Sequence, residues 1–182
     1  MKAAVLVIDM LKDFIKAFNE NDAKSLIENI NKVIDWARKN GLPLIYICDA
    51  HEEGDHEFEI WGPHALKGSE GAGIIDELKP IKGDKIVYKN KYSGFFNTRL
   101  QRILKRMNID TLILTGVHTH ICVSHTAADA YYRGFKIIVP KQCVSTLNKE
   151  DHENGLRIME KLYAAKIEDI EELIIMKNQK DK

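Results

Sequence analysis

Apolar positions along the chain follow two alternating rhythms. Short apolar-rich runs, Ala3–Ile8, Pro43–Cys48, Lys85–Lys89, Thr111–Val117 and Phe135–Val139, predict strands. The first is apolar at every position, the mark of a strand covered on both sides. Between the runs, apolar residues recur at helical spacing. Leu26, Ile30, Val33 and Ala37 predict a helix over Asp22–Asn40 with Gly41 as its stop. Leu100, Ile103, Leu104 and Met107 predict another over Thr98–Met107, with Met107 on its inner face. Helices are also expected over Ile74–Leu78, Cys122–Arg133 and Asp151–Ala164, then a short strand at Lys166–Ile167 and a helical turn over Asp169–Ile174. This β–α alternation predicts a three-layer α/β/α sandwich with a mainly parallel sheet. One domain is expected over residues 1–176, with a charged tail at 177–182.

Composition narrows the function classes. The 182 residues balance 27 Lys and Arg against 27 Asp and Glu, so no basic excess attracts nucleic acid. No apolar run is long enough to span a bilayer, and Asp9 interrupts the first run too early for a signal peptide. A cytoplasmic location is the expectation. Three cysteines without CxxC spacing argue against a disulfide framework.

The chemistry gathers at strand ends, where open α/β sheets bind ligands. Asp9 closes the first run, Asp49 and then His51 the second, and Lys89 the third. The fourth leads into a turn that carries Cys122. A thiol at a helix start is expected to favour the thiolate and to serve as a nucleophile. A partly buried Asp9 can take the thiol proton and return it to a leaving amine, while Lys89 balances charge. The loop from Asp49 to His64 also holds His51 and His56; carboxylate and imidazole together suit zinc, iron or manganese. His118 and His120 read as pocket lining, His125 as a packing or solvent-facing residue, and Cys48 and Cys143 as core.

Five ordered blocks carry a wider resemblance. They are Val7-Ile-Asp-Met-x-x-Asp-Phe14, Asp49-Ala-His51, Trp61-Gly-Pro-His64 through Gly71, Lys89-Asn-Lys-Tyr-Ser-Gly-Phe95, and Gly116-Val-His-Thr-His-Ile-Cys122 through Ala130. Together they resemble the isochorismatase-like cysteine hydrolases, most closely the nicotinamidase branch. The resemblance implies a catalytic triad of Asp9, Lys89 and Cys122, with Lys91 as a nearby rival for the Lys role. It implies a cis peptide at Val117–His118 and an oxyanion hole from the N–H groups of His118 and Cys122. It also implies a metal, zinc first and iron or manganese next, on Asp49, His51 and His64, with His56 or Glu57 as a fourth ligand. Phe14, Trp61 and Tyr92 would wall a pocket for a flat aromatic amide. Gly62 stands where the branch often has Pro, which would loosen the loop. The implied activity is hydrolysis of nicotinamide to nicotinate and ammonia through a thioester on Cys122, in a homodimer or larger homo-oligomer. The alternatives are another small amide or an N-carbamoyl or ureido substrate, and a catalytically idle binding homologue.

Overall fold

A computed structural model of the chain describes residues 2–178. The first strand, β1 (Ala3–Ile8), shows how the continuous apolar runs are used. Ala3, Val5 and Val7 point into one hydrophobic core, and Ala4, Leu6 and Ile8 into a second on the other face of the sheet. Two-sided burial therefore requires an apolar residue at every position. The helices α2 (Glu20–Lys39) and α7 (Ile170–Asn178) close the first core. The helices α4 (Leu100–Arg106), α5 (Ser124–Tyr132) and α6 (Lys149–Tyr163) close the second. The result is a three-layer sandwich.

The remaining strands are β2 (Leu44–Asp49), β3 (Lys85–Lys89), β4 (Thr111–Val117), β5 (Lys136–Pro140), β6 (Val144–Ser145) and β7 (Lys166–Glu168). All pairings are parallel, in the order β3-β2-β1-β4-β5-β7, with the short β6 beside the end of β4. The chain builds outward from β1 in one direction and from β4 in the other. The β1/β4 boundary is thus the switch point where ligand sites form. Gly116 permits that boundary: it pairs with Ile8 at φ +112°, and a Cβ there would lie 1.9 Å from the Ile8 carbonyl oxygen.

Local structure departs from the sequence reading in places. The expected helix at Ile74–Leu78 is a single 3-10 turn, Asp76–Leu78. The helix α2 begins earlier than expected because Asn19 caps it, accepting from the Asp22 N–H. Cys122 does not open an α-helix; it lies in a π-helical turn, Thr119–Val123, that precedes α5. Met107 lies just beyond α4 and is 37% exposed rather than core, whereas Met159 is fully buried. Two one-turn helices, α1 (Lys12–Ile15) and α3 (Phe58–Trp61), interrupt loops. The helix α7 continues to Asn178, into what read as tail, and residues 179–182 of that tail lie outside the described residues. Among the described residues, no helix is long and apolar enough to cross a membrane.

Candidate active site

Three strand ends converge on one buried ammonium. Lys89 Nζ lies 2.8 Å from Asp9 Oδ2, 2.5 Å from Asp49 Oδ1 and 3.5 Å from Cys122 Sγ. Lys89 itself is only 4% exposed. It reaches the site because β3 is an edge strand on which Val87 and Lys89 are buried on one face while Tyr88, on the other, is exposed. Lys91, the rival, is two residues further along. It pairs instead with Asp55 at 3.3 Å and Glu57 at 3.5 Å, away from the thiol.

Asp9 is placed by its backbone as much as by its side chain. Its φ is +51°, a left-handed conformation uncommon outside glycine and asparagine-like residues and often found at functional sites. The Asp49 N–H donates to Asp9 Oδ1 at 2.8 Å. Oδ2 faces Lys89 but makes no well-aligned hydrogen bond, which leaves a lone pair for a proton. Burial, reinforced by Asp49, pushes the Asp9 pKa up to about 6 despite Lys89. Burial also outweighs Lys89 at Cys122 and holds its thiol well above the ordinary range. Lys89, 3.5 Å from the sulfur, opposes that shift and favours the thiolate. At Asp49 and Lys89 the balance tips the other way. Burial opposes both charges, but their mutual attraction dominates, so the Asp49 pKa falls and the Lys89 pKa rises.

A second cluster adjoins the first. Ligand atoms of Asp49, His51 and His64 lie within 4.8 Å of one another. His51 is fully buried, and its Nε2 has no hydrogen-bond partner. That nitrogen faces Asp49 Oδ2 at 3.6 Å and Glu57 Oε2 at 4.0 Å. Its other nitrogen, Nδ1, is 3.0 Å from Asp55 Oδ2, and His64 Nδ1 is 2.8 Å from the Gly62 carbonyl oxygen. Both imidazoles are thus anchored through Nδ1, the outer-shell arrangement typical of metal-binding histidines. A buried unpaired ring nitrogen beside two carboxylates is costly without a cation. Burial disfavours charge on His51, yet Asp49 and Asp55 outweigh it and raise its pKa. The residues therefore fit a divalent metal. Of the two fourth-ligand candidates, Glu57 is buried near this cluster while His56 is exposed. The Gly62 carbonyl orients His64.

A cavity of about 350 Å³ opens onto both clusters. Its lining includes Cys122, Asp49, Glu57, His64, His118 and His120, together with Phe14, Trp61 and Tyr92. Trp61 Nε1 donates to the Tyr92 hydroxyl at 3.0 Å, so the two rings brace each other. Phe14 packs against His64 and His118, with ring centroids 5.5 and 5.7 Å away. The Val117–His118 peptide is cis. The His118 ring stacks on Phe18, and its Nδ1 is 3.1 Å from Thr146 Oγ1. Burial and the adjacent His120 lower its pKa to about 4, so the ring is neutral. His125 is exposed, bonded to the Ile121 carbonyl, and not part of the lining. Cys48 and Cys143 are buried free thiols elsewhere.

Several supporting residues escaped the sequence reading. Asp13 accepts from the Ala65 N–H at 2.9 Å and ties the His64 loop to α1. Gly71 leaves room for it, since a Cβ there would lie 2.1 Å from Asp13 Oδ2. Thr146, Leu147, Asn148 and Asp151 reach the cavity from the segment after β6. Thr119 Oγ1 meets His152 Nδ1 at 2.9 Å, fastening the nucleophile turn to α6.

Comparison with known proteins sets this geometry in a family. N-carbamoylsarcosine amidase from Thermoplasma acidophilum shares 38% identity at a TM-score of 0.86, covering 93% of this chain and 97% of the other. Nicotinamidase/pyrazinamidase PncA from Bacillus subtilis shares 30% at 0.84, covering 93% and 100%. Pyrazinamidase of Pyrococcus horikoshii, solved in complex with zinc, shares 28% at 0.83, covering 93% and 99%. The isochorismatase domain model matches residues 3–172, and the chain belongs to the isochorismatase-like hydrolase family.

Proposed function

We propose that the chain is a metal-containing cysteine amidohydrolase whose substrate is a small flat amide, nicotinamide first, yielding nicotinate and ammonia. The observation that carries the reading is one cavity shared by two clusters: a buried Asp9–Lys89–Cys122 set and a His51–His64–Asp49 set with an orphaned imidazole nitrogen. The cavity is at the low end of ligand pockets, about 300–1,000 Å³, which suits a single-ring substrate. Phe14, Trp61 and Tyr92 supply aromatic walls for it.

In the proposed path, Asp9 Oδ2 takes the Cys122 proton as Sγ attacks the amide carbon. Lys89 keeps the passing thiolate paired. The N–H groups of His118 and Cys122 stabilise the charge on the amide oxygen. Asp9 returns the proton to the departing amine, leaving a thioester on Cys122. Asp9 then draws a proton from water as it hydrolyses that thioester, and the sulfur leaves and is reprotonated. A divalent ion, zinc above iron or manganese, would be held by Asp49, His51 and His64 with Glu57 adjacent, and would supply Lewis acidity for a ring nitrogen or water. The zinc complex of the Pyrococcus horikoshii relative supports that choice.

Ammonia release by metal-replete protein tests the substrate. Nicotinamide and pyrazinamide should both be hydrolysed, and benzamide, which lacks the ring nitrogen, much more slowly. Benzamide equal to nicotinamide in kcat/KM, or no hydrolysis of either, would end the nicotinamidase reading. The 38% identity to an N-carbamoylsarcosine amidase favours a second reading, an N-carbamoyl amide substrate. Preferred hydrolysis of N-carbamoylsarcosine in the same panel would establish it.

A further inference from the structure

The charge of the cavity wall restricts which amides can enter. Among the described residues, four carboxylates line the cavity, from Asp13, Asp49, Glu57 and Asp151, and no Lys or Arg side chain does. Three of the four are neutralised by neighbours. Asp13 pairs with Lys16, Asp49 with Lys89, and Glu57 with Lys91. Asp151 differs. Its backbone N–H is engaged by the Asn148 cap, but no hydrogen bond or ion pair among the described residues engages its carboxylate. It enters from the first turn of α6, across β1 from the β2 end that carries Asp49 and His51. His120 lines the same cavity, and its Nδ1 has no hydrogen-bond partner among the described residues.

We infer that Asp151 is a specificity-determining residue that excludes amides bearing a carboxylate and favours neutral amides or those offering a hydrogen-bond donor to this wall. The inference rests on the nicotinamide reading and deepens it by naming the substrate class; it counts against the second reading, because N-carbamoylsarcosine carries a carboxylate. An unpaired carboxylate in a partly desolvated cavity repels a second anion more strongly than it would in water. The same wall accepts an amino or carboxamide substituent, which can donate to Asp151.

The test uses two ring amides of nearly the same shape, pyridine-3,5-dicarboxamide and 5-carbamoylnicotinate, with nicotinamide alongside, on the metal-replete full chain. The neutral diamide should exceed the acid in kcat/KM by at least about tenfold at low salt. That ratio should shrink as salt screens the repulsion. In Asp151→Asn it should fall to within a few-fold and lose most of its salt dependence. The salt series on the unaltered protein stands even where the variant does not fold. Hydrolysis of nicotinamide with a diamide-to-acid ratio near one, or a ratio unmoved by salt and by Asp151→Asn, overturns this inference alone. No hydrolysis of any of the three overturns the nicotinamide reading and this inference with it.

Discussion

Replacing Lys89 with Met should expose the electrostatic design of the site. The ammonium is buried and lies 2.8 Å from Asp9 and 2.5 Å from Asp49. Met keeps most of the packing volume but removes the charge, leaving two buried carboxylates facing each other. Breaking a buried ion pair by deleting one partner costs about 3–5 kcal/mol. For a chain of this size that lowers the melting temperature by roughly 6–20 °C. Lys89 also depresses the Asp9 pKa, so its loss raises that pKa further and favours the protonated carboxyl. Activity should fall with stability, because a protonated Asp9 accepts no proton from Cys122. Thermal and urea unfolding of metal-stripped protein measure the first effect, and nicotinamide turnover the second. Adding Asp49→Asn to Lys89→Met should restore part of the stability by removing one of the two anions, a coupling that a double-mutant cycle isolates. A Lys89→Met protein that melts within about 2 °C of the parent, or a double variant that loses the two costs additively, would refute the reasoning.

Other perturbations separate the remaining parts of the site. Cys122→Ala should abolish turnover with unchanged circular dichroism and melting temperature, whereas Cys48→Ala should keep most activity. Asp55→Asn weakens the anchor on His51 Nδ1 and should reduce metal affinity about 10–100-fold by titration calorimetry, with a smaller effect on melting of the metal-free protein. Gly116→Ala should give little soluble protein, because the added Cβ would lie 1.9 Å from the Ile8 carbonyl oxygen at a backbone angle that disfavours it. Trp61→Ala should raise the nicotinamide KM by roughly 1 kcal/mol, the scale of a lost aromatic contact.

The sequence exposed those features that depend on local pattern. Ala3–Ile8 reads as a strand covered on both faces because every position is apolar, and Thr111–Val117 as a strand because its two threonines are β-branched and interrupt an otherwise apolar run. Asp9, Asp49 and Lys89 stood out as charges closing such runs, and the structure brings them together with Cys122. What was hidden depends on irregular or distant backbone. Asp55 meets His51 only through the turns of its loop, and its four-residue spacing would signal contact only in a helix. Asp151 and Thr146 reach the cavity after the two-residue strand β6, too short to leave a hydrophobic period. A single π turn leaves no distinct hydrophobic period, so the sequence predicts a helix from Cys122, whereas Cys122 lies inside the π turn and α5 opens at Ser124. Burial raises the Cys122 pKa and Lys89 lowers it, a balance set by the assembled site rather than by local sequence.

Acid-quenched mass spectrometry during nicotinamide turnover tests the central claim most directly. Metal-replete protein mixed with excess nicotinamide should carry a nicotinoyl thioester that peptide mapping places on Cys122, with Cys48 and Cys143 unmodified. Hydrolysis of nicotinamide that proceeds in Cys122→Ala at a rate near that of the parent, with no acyl adduct on any cysteine, would contradict the account.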